Sequence, residues 1–265
     1  MVTALTLSLG FVSGSLTACD RAAGIRVIVA GSTSVQPYAE ILAEEFSGYD
    51  NSIEVDVQGG GSSAGITAAQ TGTADIGMSS RSLKEAEQGL WSVEIAKDGL
   101  AVIVHPSNPI SGLSLEQVRD VYTTGINNWK RLGGNDAKIH IITREDGSGT
   151  RSAFEELVMG GKSISPRAIV QDSNGAVRQL VADDPNAIGF ISLGLVEVGE
   201  RPVKALSLDG VYPTRENVVG GSYNLTRPFL FVSNGEPSGA TKEFIDFVLS
   251  ARGREILSAE GLIVE

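Results

Sequence analysis

The sequence predicts an α/β fold in which largely parallel strands alternate with helices. Short apolar segments alternate with amphipathic ones along the chain, and three junctions read strand, then Gly/Ser/Thr, then helix. Glycine is abundant, 32 of 265 residues, and clusters at those junctions, where backbone must turn or approach something closely.

Taken in order, Ile25 to Ala30 is apolar apart from Arg26 and reads as a strand. Gly31-Ser32-Thr33-Ser34 leads into a helix with Tyr38, Ile41, Leu42 and Phe46 at helical spacing. Pro37 falls in its first turn, where a missing N–H is tolerated. Ile53 to Val57 alternates and reads as a strand with one wet face. Gly59-Gly60-Gly61-Ser62-Ser63 then precedes a small-residue helix, Ala64 to Gln70. Ala74 to Met78 is a short strand running into Ser79-Ser80-Arg81, and Gly99 to His105 is another. Ser114 and Gln117 have capping-box spacing and open a helix through Tyr122, and Asn127-Asn128-Trp129 sits in a turn. Ile139 to Thr143 is a strand, followed by a helix from Arg151 with Phe154, Leu157 and Val158 on one face. Ser173 to Val181 is a helix, Ala187 to Ile191 a strand and Arg227 to Val232 a strand. Thr241 to Leu249 is a helix, and Gly261 to Val264 closes the chain; Trp91 and Trp129 read as packing residues.

With 42% hydrophobic and 20% charged residues the chain is globular rather than disordered. A net charge of −11 argues against nucleic acid as a partner, because counterion release needs a basic face. A few aimed donors can still bind an anion locally. Cys19 is the lone cysteine, so no internal disulfide forms. Met1 to Ala18 is nearly uncharged and reads as a signal peptide, with residues 19–24 as a tether. Leu16-Thr17-Ala18-Cys19 resembles the lipobox of bacterial lipoproteins, in which the thiol carries lipid. The missing Lys/Arg near Met1 leaves an ordinary leader as the alternative. No later stretch is long and apolar enough to span a membrane.

The stretch around which the chain is organised is Arg144-Glu145-Asp146-Gly147-Ser148-Gly149-Thr150. A strand feeding through two glycines into a helix presents free N–H groups at the positive end of the helix dipole. Ser148 and Thr150 add hydroxyls and Arg144 a forked cation, which together suit a phosphate-sized anion. Since ligands of open α/β sheets sit at the carboxyl ends of strands, the three Gly/Ser/Thr loops point to a cleft between two lobes. Blander readings stand beside this: Arg144 as a surface partner of Glu145, Arg81 as a cap, Gly59 to Gly61 as a tight connection, Ser32 as a helix cap. Gly61-Ser62-Ser63-Ala64-Gly65 also fits a nucleophile elbow, with Ser63 as nucleophile. The histidines, His105 and His140, both sit in apolar runs and neither lies late in the chain, where a hydrolase would need one, which weighs against a serine hydrolase. Two distant histidines and one cysteine make no metal ligand set, and no cofactor is expected.

In this order and spacing, Gly31-Ser32-Thr33-Ser34, Gly61-Ser62-Ser63, Ser79-Ser80-Arg81, Arg144 with Asp146 to Thr150, and Asn186 to Phe190 resemble the substrate-binding proteins of phosphate ABC transporters. The resemblance covers nearly all of the mature chain. It implies a type II periplasmic-binding-protein fold: mixed sheets, flanking helices, two lobes and a hinge crossed twice, near Val104-His105 and Thr226-Arg227. Residues 25–104 and 227–265 would form one lobe and 105–226 the other. It implies phosphate binding by Thr33, Ser34, Ser62, Ser80, Arg144, Ser148, Gly149 and Thr150, with Ser32 and Arg81 in support and Asp146 holding Arg144. It also implies an extracytoplasmic monomer, in the periplasm or at the cell surface, serving an ABC permease and its cytoplasmic ATPase. Where the better-known branch has an Asp that accepts the proton of hydrogen phosphate, this chain has Ser80. A serine does not repel an unprotonated oxyanion, so sulfate, molybdate or tungstate are the alternative ligands, and Glu145 or Asp146 the candidates to replace the missing carboxylate.

Overall fold

The computed structural model describes residues 25–197 and 202–264, so the leader, tether and Cys19 lie outside it. The elements are β1 (Ile25–Gly31), α1 (Gln36–Tyr49), β2 (Ile53–Gly59), α2 (Ser62–Thr71), β3 (Ile76–Ser79) and β4 (Trp91–Val104). Next come β5 (Gly112–Leu113), α3 (Leu115–Tyr122), β6 (His140–Arg144), α4 (Gly149–Phe154), β7 (Ile169–Gln171), α5 (Asn174–Asp183) and β8 (Ala187–Ser192). The chain ends with β9 (Lys204–Ala205), β10 (Ser207–Leu208), α6 (Arg215–Val219), β11 (Thr226–Ser233), α7 (Gly239–Leu249) and α8 (Ala251–Ala259).

Most boundaries follow the apolar period. Ser114 caps α3 in a reciprocal box with Gln117, and Ser148 and Ser173 cap α4 and α5. Two features escape it. β4 begins at Trp91, well before the strand predicted from Gly99, because Glu94, Lys97 and Asp98 break the apolar run. α8 buries only Gly253, Ile256 and Leu257 on its inner face, too thin a stripe to stand out in the sequence.

The strand order is β2-β1-β3-β11-β4-β8-β6-β7, with β9 beside β4. β1 is parallel to β2 and β3, and β6 to β7 and β8. β11 runs antiparallel between β3 and β4, and β8 antiparallel to β4, so the sheet is mixed rather than largely parallel. The reason is β11, which returns late in the chain to insert between strands laid down early.

Through Gly99, β4 pairs with β11; from Leu100 it pairs with β8. The cores change over at the same place. One cluster draws on Val27 to Ala96 and Phe229 to Leu262, including Leu42, Phe46, Ile76, Phe231 and Phe244. Another draws on Leu100 to Leu225, where Phe154 and Phe190 stack with ring centroids 4.0 Å apart. The apolar carboxyl halves of β1, β3 and β6 thus anchor the turns that follow them.

Candidate functional site

The β1–α1, β2–α2 and β6–α4 turns meet, together with the end of β3. Ser32, Ser34, Ser62, Ser80, Arg144, Ser148 and Thr150 are all buried there. In the first turn Gly31 has φ +138°, and a Cβ at that position would run into the Met78 carbonyl, so only glycine lets β1 lie this close to β3. Ser32 N–H donates to that same carbonyl at 3.0 Å, and Ser34 N–H donates to Ser32 Oγ at 3.2 Å.

Ser80 N–H donates to Ser62 Oγ at 3.0 Å and Ser32 Oγ donates to Ser80 Oγ at 2.9 Å, tying the ends of β1, β2 and β3 into one hydroxyl cluster. The β6–α4 turn lies directly against it. Ser63 N–H donates to the Gly147 carbonyl at 3.1 Å, and a Cβ on Gly149 would collide with the Ser62 and Ser80 hydroxyls. Ser34 Oγ and Thr150 Oγ1 are 2.9 Å apart. Ser148 Oγ accepts the Arg151 N–H at 3.2 Å as the cap of α4. Thr33 lies at the margin, half-buried, with Asn174 Nδ2 3.4 Å from its hydroxyl.

Arg144 enters from the end of β6 and is buried. Its Nε and Nη2 each donate to Glu145 at 2.9 Å, and to the Gln171 and Asp172 carbonyls at 3.3 and 3.1 Å. Nη1 is buried with no partner among the described residues. A guanidinium nitrogen left unpaired out of water costs a few kcal/mol unless an acceptor reaches it.

The expectation that Asp146 holds Arg144 is corrected. Glu145 performs that role, while Asp146 is 93% exposed and pairs with Arg151 at 2.6 Å. Ser148 N–H bonds to the Glu145 carbonyl, closing a turn that puts Asp146 at its outer corner and lets Glu145 fold back over Arg144. Asp146 is equally unplaced to substitute for the missing carboxylate near Ser80. Accordingly Asp146→Ala should change anion affinity by less than about twofold, as loss of an exposed pair usually does, checked by calorimetric titration.

Arg81 is buried and gives both terminal nitrogens to Glu87, at 2.7 and 2.9 Å, with Ser63 Oγ at 3.3 Å. The hydrogen bond from Arg81 holds the Glu87 carboxyl below its ordinary range. The nucleophile-elbow reading finds no support in this geometry: Ser63 faces Arg81, whereas His105 Nδ1 bonds Ser107 and His140 Nδ1 bonds Asp184.

Sequence reasoning missed a second guanidinium. Arg227 on β11 sits opposite Asp98 on β4, in the last register positions before β4 changes partner. Its Nε and Nη2 reach Asp98 Oδ2 at 3.0 and 2.9 Å, and Ser192 Oγ donates to Asp98 Oδ1 at 2.8 Å. Nη2 also donates to Ser34 Oγ at 3.0 Å and Nη1 to Thr150 Oγ1 at 2.8 Å. Burial pushes the Asp98 carboxyl up and the Arg227 guanidinium down, and the pairing pulls each back toward its charged form. Asn174, the first residue of α5, is also buried; its Nδ2 donates to Ser34 Oγ at 2.8 Å and its Oδ1 accepts the Ser192 N–H at 3.3 Å. The available signal was faint: opposite charges, each inside an apolar strand.

A family model described as a PBP superfamily domain matches residues 17–252. The phosphate-binding protein PstS of Bacillus subtilis is 33% identical over 90% of this chain and 76% of its own length. A crystal structure from Clostridium perfringens, assigned as a phosphate ABC transporter substrate-binding protein with bound phosphate, shares 45% identity at a TM-score of 0.86, covering 91% of this chain and all of that one. An ABC-type phosphate transport receptor from Vibrio cholerae shares 39% identity at a TM-score of 0.74, over 90% of this chain and all of its own. With its mixed sheet, its paired cores and its junction turns brought together, the chain belongs to the PstS family of phosphate-binding proteins and has the two-lobed periplasmic-binding-protein fold.

Proposed function

We propose that this protein captures inorganic phosphate between its two lobes and delivers it to an ABC permease driven by a cytoplasmic ATPase. The observation that carries the reading is the meeting of three buried Gly/Ser/Thr turns, the third of which begins at Arg144, whose buried Nη1 has no protein acceptor among the described residues. Hydroxyls, backbone N–H groups and one guanidinium satisfy a dehydrated oxyanion without an excess of full charges, because Glu145 already balances Arg144. The relatives named above as phosphate binders support the choice of anion. Ser62, Ser80, Arg144, Gly149 and Thr150 are the proposed ligands, with Ser32 and Ser34 in support. Thr33 and Ser148 act at the margin, one beside Asn174 and the other as helix cap. The protein acts as a binder and not as an enzyme.

We propose that the hinge is crossed at Gly99-Leu100, where β4 leaves β11 for β8, and again at Thr226, where β11 begins. The first is a few residues ahead of the Val104-His105 position, at which β4 ends. An anion held by donors from both lobes makes its full set of bonds only in the closed form, which is the differential affinity that closure requires. We further propose an extracytoplasmic monomer anchored by lipid on Cys19; an intact-mass measurement reads the lipid directly.

Calorimetric competition between phosphate and sulfate at neutral pH tests the reading. Phosphate is expected to bind at least about tenfold more tightly, a difference of 1.4 kcal/mol. Tighter sulfate binding would overturn it.

A further inference from the structure

We infer that Arg227 is a positioning residue which, held by Asp98, fixes the proton direction from Ser34 to Thr150 and from Thr150 to the guest, so that this part of the cleft accepts only unprotonated oxyanion oxygens. The inference rests on the phosphate reading above and deepens it. A hydroxyl has two lone pairs and one proton. Both lone pairs of Ser34 Oγ are occupied, by Arg227 Nη2 at 3.0 Å and Asn174 Nδ2 at 2.8 Å. The Asn174 amide is oriented by the Ser192 N–H on its oxygen, so the nitrogen faces Ser34. Ser34 therefore donates, and across the 2.9 Å gap Thr150 Oγ1 accepts.

Thr150 Oγ1 also accepts from Arg227 Nη1 at 2.8 Å, which fills its second lone pair. Its proton has no acceptor among the described residues and is left for a guest. Neither hydroxyl can accept a P–OH. Nearby, Ser80 Oγ accepts from Ser32 and Ser62 Oγ from the Ser80 N–H, and the 3.3 Å bond between these two hydroxyls fills one further lone pair, which leaves one of the two able to accept. The Ser62–Ser80 pair can thus take a protonated oxygen and the Ser34–Thr150 pair cannot. Hydrogen phosphate, with one P–OH, fits this pattern; dihydrogen phosphate presents one proton more to donors.

The charged and titratable groups facing Arg227 are Asp98 on β4, Tyr38 on α1 and Arg144 on β6, the last backed by Glu145. Each guanidinium is paired with its own carboxylate, so discrimination comes from proton direction rather than net charge. A phosphate group loses its second proton near neutrality, so the ligand's own ionisation reads the device.

The experiment is calorimetric titration of total phosphate from pH 5.5 to 8.5 on the native protein and two variants, each checked by thermal unfolding. Arg227→Lys keeps a charge against Asp98 but cannot fork to two hydroxyls. Asp98→Asn with Arg227→Met removes both charges together, so no buried ion is stranded if the single change misfolds. Native affinity should rise about tenfold or more across the range, and in both variants the rise should shrink to about threefold or less. A merely structural role would lower affinity by the same factor at every pH. Parallel profiles in native protein and variants, or native affinity that does not rise, overturn the inference while leaving phosphate binding in place. No phosphate binding by folded native protein at any pH overturns both.

Discussion

Asp98→Ala is expected to destabilise the protein by about 3–5 kcal/mol, the usual consequence of removing one partner from a buried ion pair. Arg227 would remain within the sheet with its charge unbalanced, since Asp98 is the carboxylate to which it donates and both side chains are almost fully buried. Ser192 Oγ would lose its acceptor as well. For a chain of this size the change corresponds to a drop in melting temperature of about 10 °C, read by calorimetry or circular dichroism. Asp98→Asn should be milder, because the amide oxygen can take the Oδ2 position and still accept from Arg227 while the amide nitrogen donates to Ser192 Oγ. If Asp98→Ala melts within about 2 °C of the native protein, the pair is not the internal tie described above.

Arg144→Ala should leave the fold largely intact and weaken phosphate binding by about 3 kcal/mol, roughly a hundredfold. The loss combines a charge-assisted bond from Nη1 with the release of Glu145, whose carboxylate would then face the anion without its counter-charge. Arg144→Lys should recover only part of this. An ammonium restores the charge, but it cannot hold Glu145 through two nitrogens, reach the Gln171 and Asp172 carbonyls and still offer a free N–H. Affinity unchanged in Arg144→Ala would place the anion elsewhere.

The parts of this molecule that are local in sequence were legible in it. The Gly/Ser/Thr turns, the capping box at Ser114 and the apolar faces of α1 and α7 are read from neighbours a few residues apart. What stayed hidden depends on tertiary pairing. Nothing near Asp98 reveals that its partner is Arg227, since the two meet only because β11 inserts between β3 and β4. Asn174 falls without distinction inside the helix read from Ser173, and only the fold carries its amide to Ser34. The resemblance points to Asp146 as the support of Arg144, and the sequence does not show that the tight turn sends Glu145 to that side instead.

The late return of β11 bears on how the chain acquires its structure. Residues Leu100 to Leu225 supply one core without a break, whereas the other joins Val27 to Ala96 with Phe229 to Leu262. As the polypeptide emerges amino end first, its middle can consolidate while its beginning waits for the carboxyl terminus. Until then β3 shows a bare edge of unpaired amides and carbonyls, the kind of template that invites association with other chains. The strand that inserts between β3 and β4 thus sets the last step of maturation, and truncation anywhere before Thr226 would leave β1 to β3 without their closing strand.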